Sequence, residues 1–200
     1  MLRLCIGNKN YSSWSMRPWV LMRQAGIPFE EVRLRFGPDF RPRIEAFSPA
    51  GRVPALVDGD LAIWDSLAIA EYLAERFPER RLWPQEAAAR ARARSVCAEM
   101  HSGFTALRGA CPMNIEARLP EAGAIIWRDQ SAVRADVERI TGMWRRLLAE
   151  HGGPLLFGGF SIADAFYYIV SLKHLLIKSS GNQTFSIESE PVERSSRQCL

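Results

Sequence analysis

Arg52-Val53-Pro54-Ala55-Leu56-Val57-Asp58-Gly59-Asp60-Leu61-Ala62-Ile63-Trp64-Asp65-Ser66-Leu67-Ala68-Ile69 is the stretch whose reading decides the fold. Two short apolar runs flank Asp58-Gly59-Asp60, and an Asp-Gly turn between such runs predicts a β-hairpin. Asp65-Ser66 then opens an apolar-periodic helix expected over Leu67 to Phe77. A Ser at a helix start can cap a free backbone N–H, and the helix dipole favours an anion there. The hairpin therefore delivers a helix N-terminus suited to a ligand carboxylate.

Upstream, Leu2, Leu4 and Ile6 alternate with Arg3 and Cys5, the period of a short strand. An apolar helix is expected from Trp19 to Ala25, with Pro18 in its first turn, where a missing N–H costs nothing. This places Ser12, Ser13 and Ser15 at the strand-to-helix junction, their hydroxyls beside free backbone donors. Gly26 and Pro28 stop the helix. Val32, Leu34 and Phe36 alternate with Arg33 and Arg35 as a second strand, and a Pro-punctuated irregular segment, Gly37 to Pro49, leads to the hairpin.

Beyond a linker at 79–86 the period changes. Val96, Met100, Phe104 and Leu107 mark one face of a single long helix starting near Ala87, and Val133, Val137, Ile140, Trp144 and Leu147 mark another. Helix after helix without strand signal predicts an all-α domain over 87–178. Ser161-Ile162-Ala163-Asp164 starts a further helix as a capping box with Asp in the acidic place. Alanine is absent after Ala165, and residues 179–200 carry no amphipathic period. This tail is expected to be disordered, or altered by a shifted frame or terminus.

Composition excludes several classes. The 200 residues are 48% hydrophobic and 24% charged, ordinary for a soluble globular chain. The net charge is +4, but the basic residues, nearly all Arg, are scattered among acids. That distribution argues against a nucleic-acid partner. No apolar run reaches the ~20 residues of a membrane span, and the first residues lack signal-peptide architecture. Cys5, Cys97, Cys111 and Cys199 have neither metal-ligand nor C-x-x-C spacing, so reduced, mostly buried thiols are expected, and the cytoplasm with them. No metal site and no phosphate-cradling Gly loop is expected.

Val53-Pro54-Ala55-Leu56, followed at this distance by Asp65-Ser66-Leu67-Ala68-Ile69, closely resembles the glutathione-binding half of the cytosolic glutathione transferases. The resemblance covers roughly residues 1–168. It implies a thioredoxin-like α/β N-terminal domain over 1–78, an all-α C-terminal domain and a homodimer. Tyr11-Ser12-Ser13-Trp14-Ser15-Met16-Arg17 looks most like the serine-type members, whose zeta class carries Ser-Ser-Cys-x-x-Arg. In that likeness Ser12 takes the catalytic place beside the glutathione sulfur, with Ser13 and Ser15 as alternatives, and Trp14 stands where the zeta class has Cys. Pro54 takes the place of the family's cis-proline, and Val53 that of the backbone that pairs with glutathione. Ser66 would hold the γ-glutamyl carboxylate and Asp65 would face its α-amino group; Arg52 could meet the glycyl carboxylate. A small hydrophobic electrophile would lie against Trp14, Arg17, Phe104, Thr105 and Arg108. His101 has no partner evident in the sequence.

The implied function is glutathione transfer to an electrophile, as in detoxification, with glutathione as co-substrate. Two alternatives stand beside it: a glutathione-dependent cis–trans isomerase of the maleylacetoacetate isomerase type, and a non-catalytic glutathione-binding or chaperone-like protein.

Overall fold

The computed structural model describes residues 1–168 and 170. Cys199 and the tail expected over 179–200 lie outside these residues, as does the end of the expected helical domain. Four strands form one mixed sheet in the order β2-β1-β3-β4: β1 (Leu2–Ile6), β2 (Phe29–Arg33), β3 (Ala55–Asp58) and β4 (Leu61–Trp64). β1 and β2 run parallel, while β3 runs antiparallel to both β1 and β4. The hairpin falls where Asp-Gly predicted it, with Gly59 at φ 59°, the left-handed conformation its turn requires. With the connecting helices this is the thioredoxin-like arrangement. Among the described residues it is followed by helices alone, apart from one isolated bridge between Phe157 and Gly159.

The pleat of β1 sorts the core. Leu2, Leu4 and Ile6 face α1 (Ser13–Gln24) and α3 (Ser66–Arg76), and their cluster runs on into the helical part through Val96, Met100, Val137, Ile140 and Phe166. Cys5 points to the other face and packs with Leu34, Ile44 and Ala55. Ile44 belongs to α2 (Phe40–Glu45), a short helix inside the segment expected to be irregular. Its six residues carry too little apolar period to be read, and the sheet face behind it makes the helix worth forming.

Three further expectations are corrected. α1 begins at Ser13, so Pro18 is interior to the helix rather than in its first turn. The bond lost is one to the Trp14 carbonyl, and Pro18 is buried within α1. β2 ends at Arg33, short of Leu34 and Phe36, because its register is set by the five residues of β1. The long helix splits into α4 (Ala87–Ser102) and α5 (Thr105–Ala110). Gly103 makes the break: a Cβ there would sit 2.8 Å from the Glu99 carbonyl oxygen, and Phe104 follows at φ 56°. Arg108 then donates from one guanidinium nitrogen to the carbonyls of Met100, His101 and Gly103, closing the exposed end of α4.

α6 (Pro120–Asp129) and α7 (Ser131–His151) complete the numbered helices, and residues 162–168 are helical. The acidic half of the predicted capping box is formed: Asp164 accepts from the Ser161 N–H and hydroxyl, both at 2.9 Å. Among the described residues no helix is long and apolar enough to cross a membrane.

Candidate active site

The loop from β1 to α1 brings the serines to the C-terminal edge of β1. Ser12 occupies the N-cap position, since its carbonyl accepts the Met16 N–H, yet its side chain caps nothing. Instead its hydroxyl donates to Ser15 Oγ at 2.8 Å, and Ser15 Oγ also accepts the Gly7 N–H at 3.1 Å. Ser15 is fully buried, whereas Ser12 and Ser13 are half-buried and keep solvent access. Of the three candidates, Ser15 thus stands behind Ser12 and backs its hydroxyl.

Across from it, the start of α3 differs in detail from the expected Ser cap. Asp65 is the N-cap: its carboxylate accepts the Leu67 N–H at 2.8 Å, and its backbone sits at φ 76°, a strained conformation for a non-glycine residue. Ser66 is fully buried, and its hydroxyl accepts from Arg17 at 3.5 Å. Val53–Pro54 is cis and leads directly into β3. Arg52 is exposed.

Trp14 and Arg17 tie the two helix starts together. The Arg17 guanidinium lies 4.2 Å from the Trp14 ring centroid and 4.8 Å from that of Phe166, and it donates to the Met100 carbonyl at 3.5 Å. Arg108 packs 4.5 Å from the same Trp14 ring. Burial, and then the neighbouring Arg108 charge, push Arg17 down to about 10, so it remains a cation at neutral pH. Burial also lowers Arg108. Two guanidinium groups thus share one indole at the junction of α1, α3, α4 and α5, a concentration of positive charge of the kind that attracts carboxylates. Phe104 is buried in the common core, while Thr105 is exposed at the start of α5. Cys97 lies near Arg17, but burial pushes its thiol up, leaving it protonated and unreactive.

Two contributors escaped the sequence reading. Asn10, buried two residues before Ser12, accepts the Ile115 and Glu116 N–H groups at 2.6 and 3.1 Å and donates to the Glu116 carboxylate at 3.1 Å. His101 Nε2 lies 3.2 Å from Asp65 Oδ2, giving that histidine the partner its sequence neighbours did not suggest. Both pairings join residues far apart in the chain, which no local spacing reveals.

A thioredoxin-like sheet followed by a helical part, with the starts of α1 and α3 linked through Arg17 and Ser66, defines the fold class. Residues 11–76 match the glutathione S-transferase N-terminal domain. The chain is 31% identical over 159 residues to glutathione S-transferase 1 of Dianthus caryophyllus, covering 78% of this chain and 70% of the relative. It is 29% identical over 153 residues to a probable maleylacetoacetate isomerase of Caenorhabditis elegans, covering 76% and 69%. A glutathione transferase homologue from Burkholderia, solved with bound glutathione, superposes with a TM-score of 0.62 at 23% identity, over 87% of this chain and 81% of that one. The chain belongs to the glutathione S-transferase family.

Proposed function

We propose that this family member is a serine-type, zeta-like glutathione transferase, with Ser12 activating the glutathione thiol for attack on a small hydrophobic electrophile. A free thiol has a pKa of about 8.5, and only its thiolate is a good nucleophile. Lowering that pKa by ~2 units takes about 2.7 kcal/mol of preferential stabilisation of the anion. One hydrogen bond to a charged group supplies about 1.5–3 kcal/mol, and the N-terminus of α1 adds favourable potential. The observation that carries the reading is the Ser12 side chain itself. It caps no backbone group, stays accessible, and is held by a buried hydroxyl behind it.

Binding follows from the other helix start. Ser66 and the free N–H groups of α3 suit the γ-glutamyl carboxylate, with Asp65 facing the α-ammonium. Val53 would pair with the cysteinyl backbone as an added strand. Ser13 and Arg52 complete the glutathione side. Trp14, Arg17, Phe104, Thr105 and Arg108 form the electrophile side, Phe104 acting from the core behind it. The working form is a cytoplasmic homodimer with residues 1–78 as glutathione domain and the helices from 87 onward as its cover.

A second reading is favoured by the Arg17–Trp14–Arg108 cluster. Two buried or half-buried cations beside a thiol site suit a dicarboxylate, as glutathione-dependent cis–trans isomerisation of an unsaturated diacid requires. Retention on immobilised glutathione, followed by aryl-halide conjugation and by isomerisation of a cis-enedioate, separates the two. Retention with conjugation supports the transferase, and retention with isomerisation alone supports the second reading. Absence of retention removes both.

A further inference from the structure

We infer that His101 is a positioning residue for glutathione: it fixes the Asp65 carboxylate that receives the γ-glutamyl ammonium. The inference rests on the glutathione site proposed above and deepens it. Asp65 is unusual in having a strained backbone and both carboxylate oxygens engaged. Oδ1 accepts the Leu67 N–H at 2.8 Å, and Oδ2 lies 3.2 Å from His101 Nε2. The Asp65 side chain nonetheless stays 44% exposed, so the outward lone pairs of the same oxygens remain open to a donor.

His101 comes from the last turn of α4 and is itself held. Its ring meets Trp14 edge-on, with centroids 5.1 Å apart and planes at 78°. Its Nδ1 is buried with no hydrogen-bond partner among the described residues, so Nε2 is its working nitrogen, and the carboxylate opposite keeps the hydrogen on Nε2. Trp14 is in turn braced by Arg17 and Arg108, and Arg17 reaches back to Ser66. Asp65, His101, Trp14, Arg17 and Ser66 thus close a circuit through α1, α3 and α4 around the start of α3. Asp65 is paired with His101, while Arg17 and Arg108 stack on the Trp14 ring that His101 meets, and Arg108 also donates to the His101 carbonyl. A short carboxylate serves a fixed ammonium only if its rotamer is fixed too, and His101 does that from the neighbouring helix.

The test uses the full chain with three variants, His101→Phe, His101→Gln and His101→Ala. Each is assayed for glutathione KM, kcat and direct affinity, and against the glutaryl analogue of glutathione that lacks the α-amino group. His101→Phe keeps a ring on Trp14 but has no donor. It is expected to weaken glutathione about tenfold, as loss of one charge-assisted contact does, with kcat within about twofold. His101→Gln, which retains an N–H donor at similar reach, restores most of the affinity. The glutaryl analogue should bind wild type and His101→Phe alike. Wild-type affinity in His101→Phe, or an equal loss for the glutaryl analogue, overturns the inference while leaving the glutathione site standing. Failure of the wild type itself to bind glutathione removes the site and the inference together.

Discussion

Ser12 and Ser15 share one hydrogen bond, 2.8 Å between oxygens, and the Gly7 N–H backs the Ser15 oxygen at 3.1 Å. A hydroxyl can turn its hydrogen around, so when Ser12 donates to a thiolate, Ser15 can donate to Ser12. The result is a chain from the Gly7 N–H through two hydroxyls to sulfur, each bond polarising the next. Ser12→Ala is expected to lower kcat/KM about 10–100-fold by removing the terminal donor, with glutathione affinity little changed. Ser15→Ala is expected to lower it by a smaller factor and also to destabilise the fold, since the buried Gly7 N–H loses its partner at a cost of about 1–3 kcal/mol. Direct titration of the bound thiol separates the effects. Its pKa should rise in both variants, more in Ser12→Ala; an unchanged thiol pKa in Ser12→Ala would demote Ser12 to a bystander.

Asn10 makes a second testable link. Its side chain accepts the N–H groups of both Ile115 and Glu116, in the segment between α5 and α6 that carries no regular structure. Asn10→Ala leaves both donors without that acceptor, and a loss of about 1–3 kcal/mol in urea unfolding is expected. Proteolytic cleavage should move to residues 111–119 before the rest of the chain is attacked. Asn10→Asp keeps the acceptor but sets a carboxylate against Glu116, so it should fall between wild type and Asn10→Ala. Cleavage elsewhere first would show that the segment is held by other contacts.

What the sequence made legible was local. The Asp-Gly hairpin, the Gly26 stop, the Ser161–Asp164 box and the start of α4 at Ala87 all rest on signals within a few residues, and each stands in the structure. The errors came where packing and side-chain reach, rather than residue type, decide. Pro18 is tolerated inside α1 because packing compensates for its missing bond, and the break at Gly103 depends on the Glu99 carbonyl and on Arg108 reaching back to the helix end. For the proposed site, Ser12, Asp65 and Ser66 are named from motif, spacing and the resemblance they carry. His101 and Asn10 could not, because their partners lie 36 and 105 or more positions away in the chain.

Burial of the thiols gives a pH dependence with a definite sign. Burial pushes Cys5 from 9.0 up to about 11, partly countered by Arg43, and pushes Cys97 further up. Between the unfolded and folded values the unfolded chain has lost the thiol proton while the folded chain still holds it, so the unfolded state binds fewer protons. Stability is therefore complete below about pH 9 and declines as pH rises through 11. Urea midpoints across that range should fall, and Cys5→Ala should flatten the decline. At pH 8 both thiols should resist alkylation until denaturant is added. Fast labelling of Cys5 in the folded state would contradict its burial.

Arg17 poses the sharpest contrast between stability and function. It is 4% exposed, its Nε has no partner among the described residues, and its hydrogen bonds to Ser66 and to the Met100 carbonyl are both 3.5 Å long. Such a cation is costly to bury, and two aromatic faces and a distant Asp65 return only part of that cost. A side chain present only for packing would be better replaced by Met, which fills similar space without charge. Arg17→Met is therefore expected to leave thermal stability unchanged or to raise it by a few degrees. The same substitution should lower turnover of a carboxylate-bearing substrate about tenfold or more while sparing a neutral aryl halide, because only the former answers to the charge. Thermal midpoints and paired kcat/KM values for the two substrates measure both effects. Marked destabilisation in Arg17→Met with equal losses on the two substrates would make Arg17 a structural cation and withdraw the support it gives to the diacid reading.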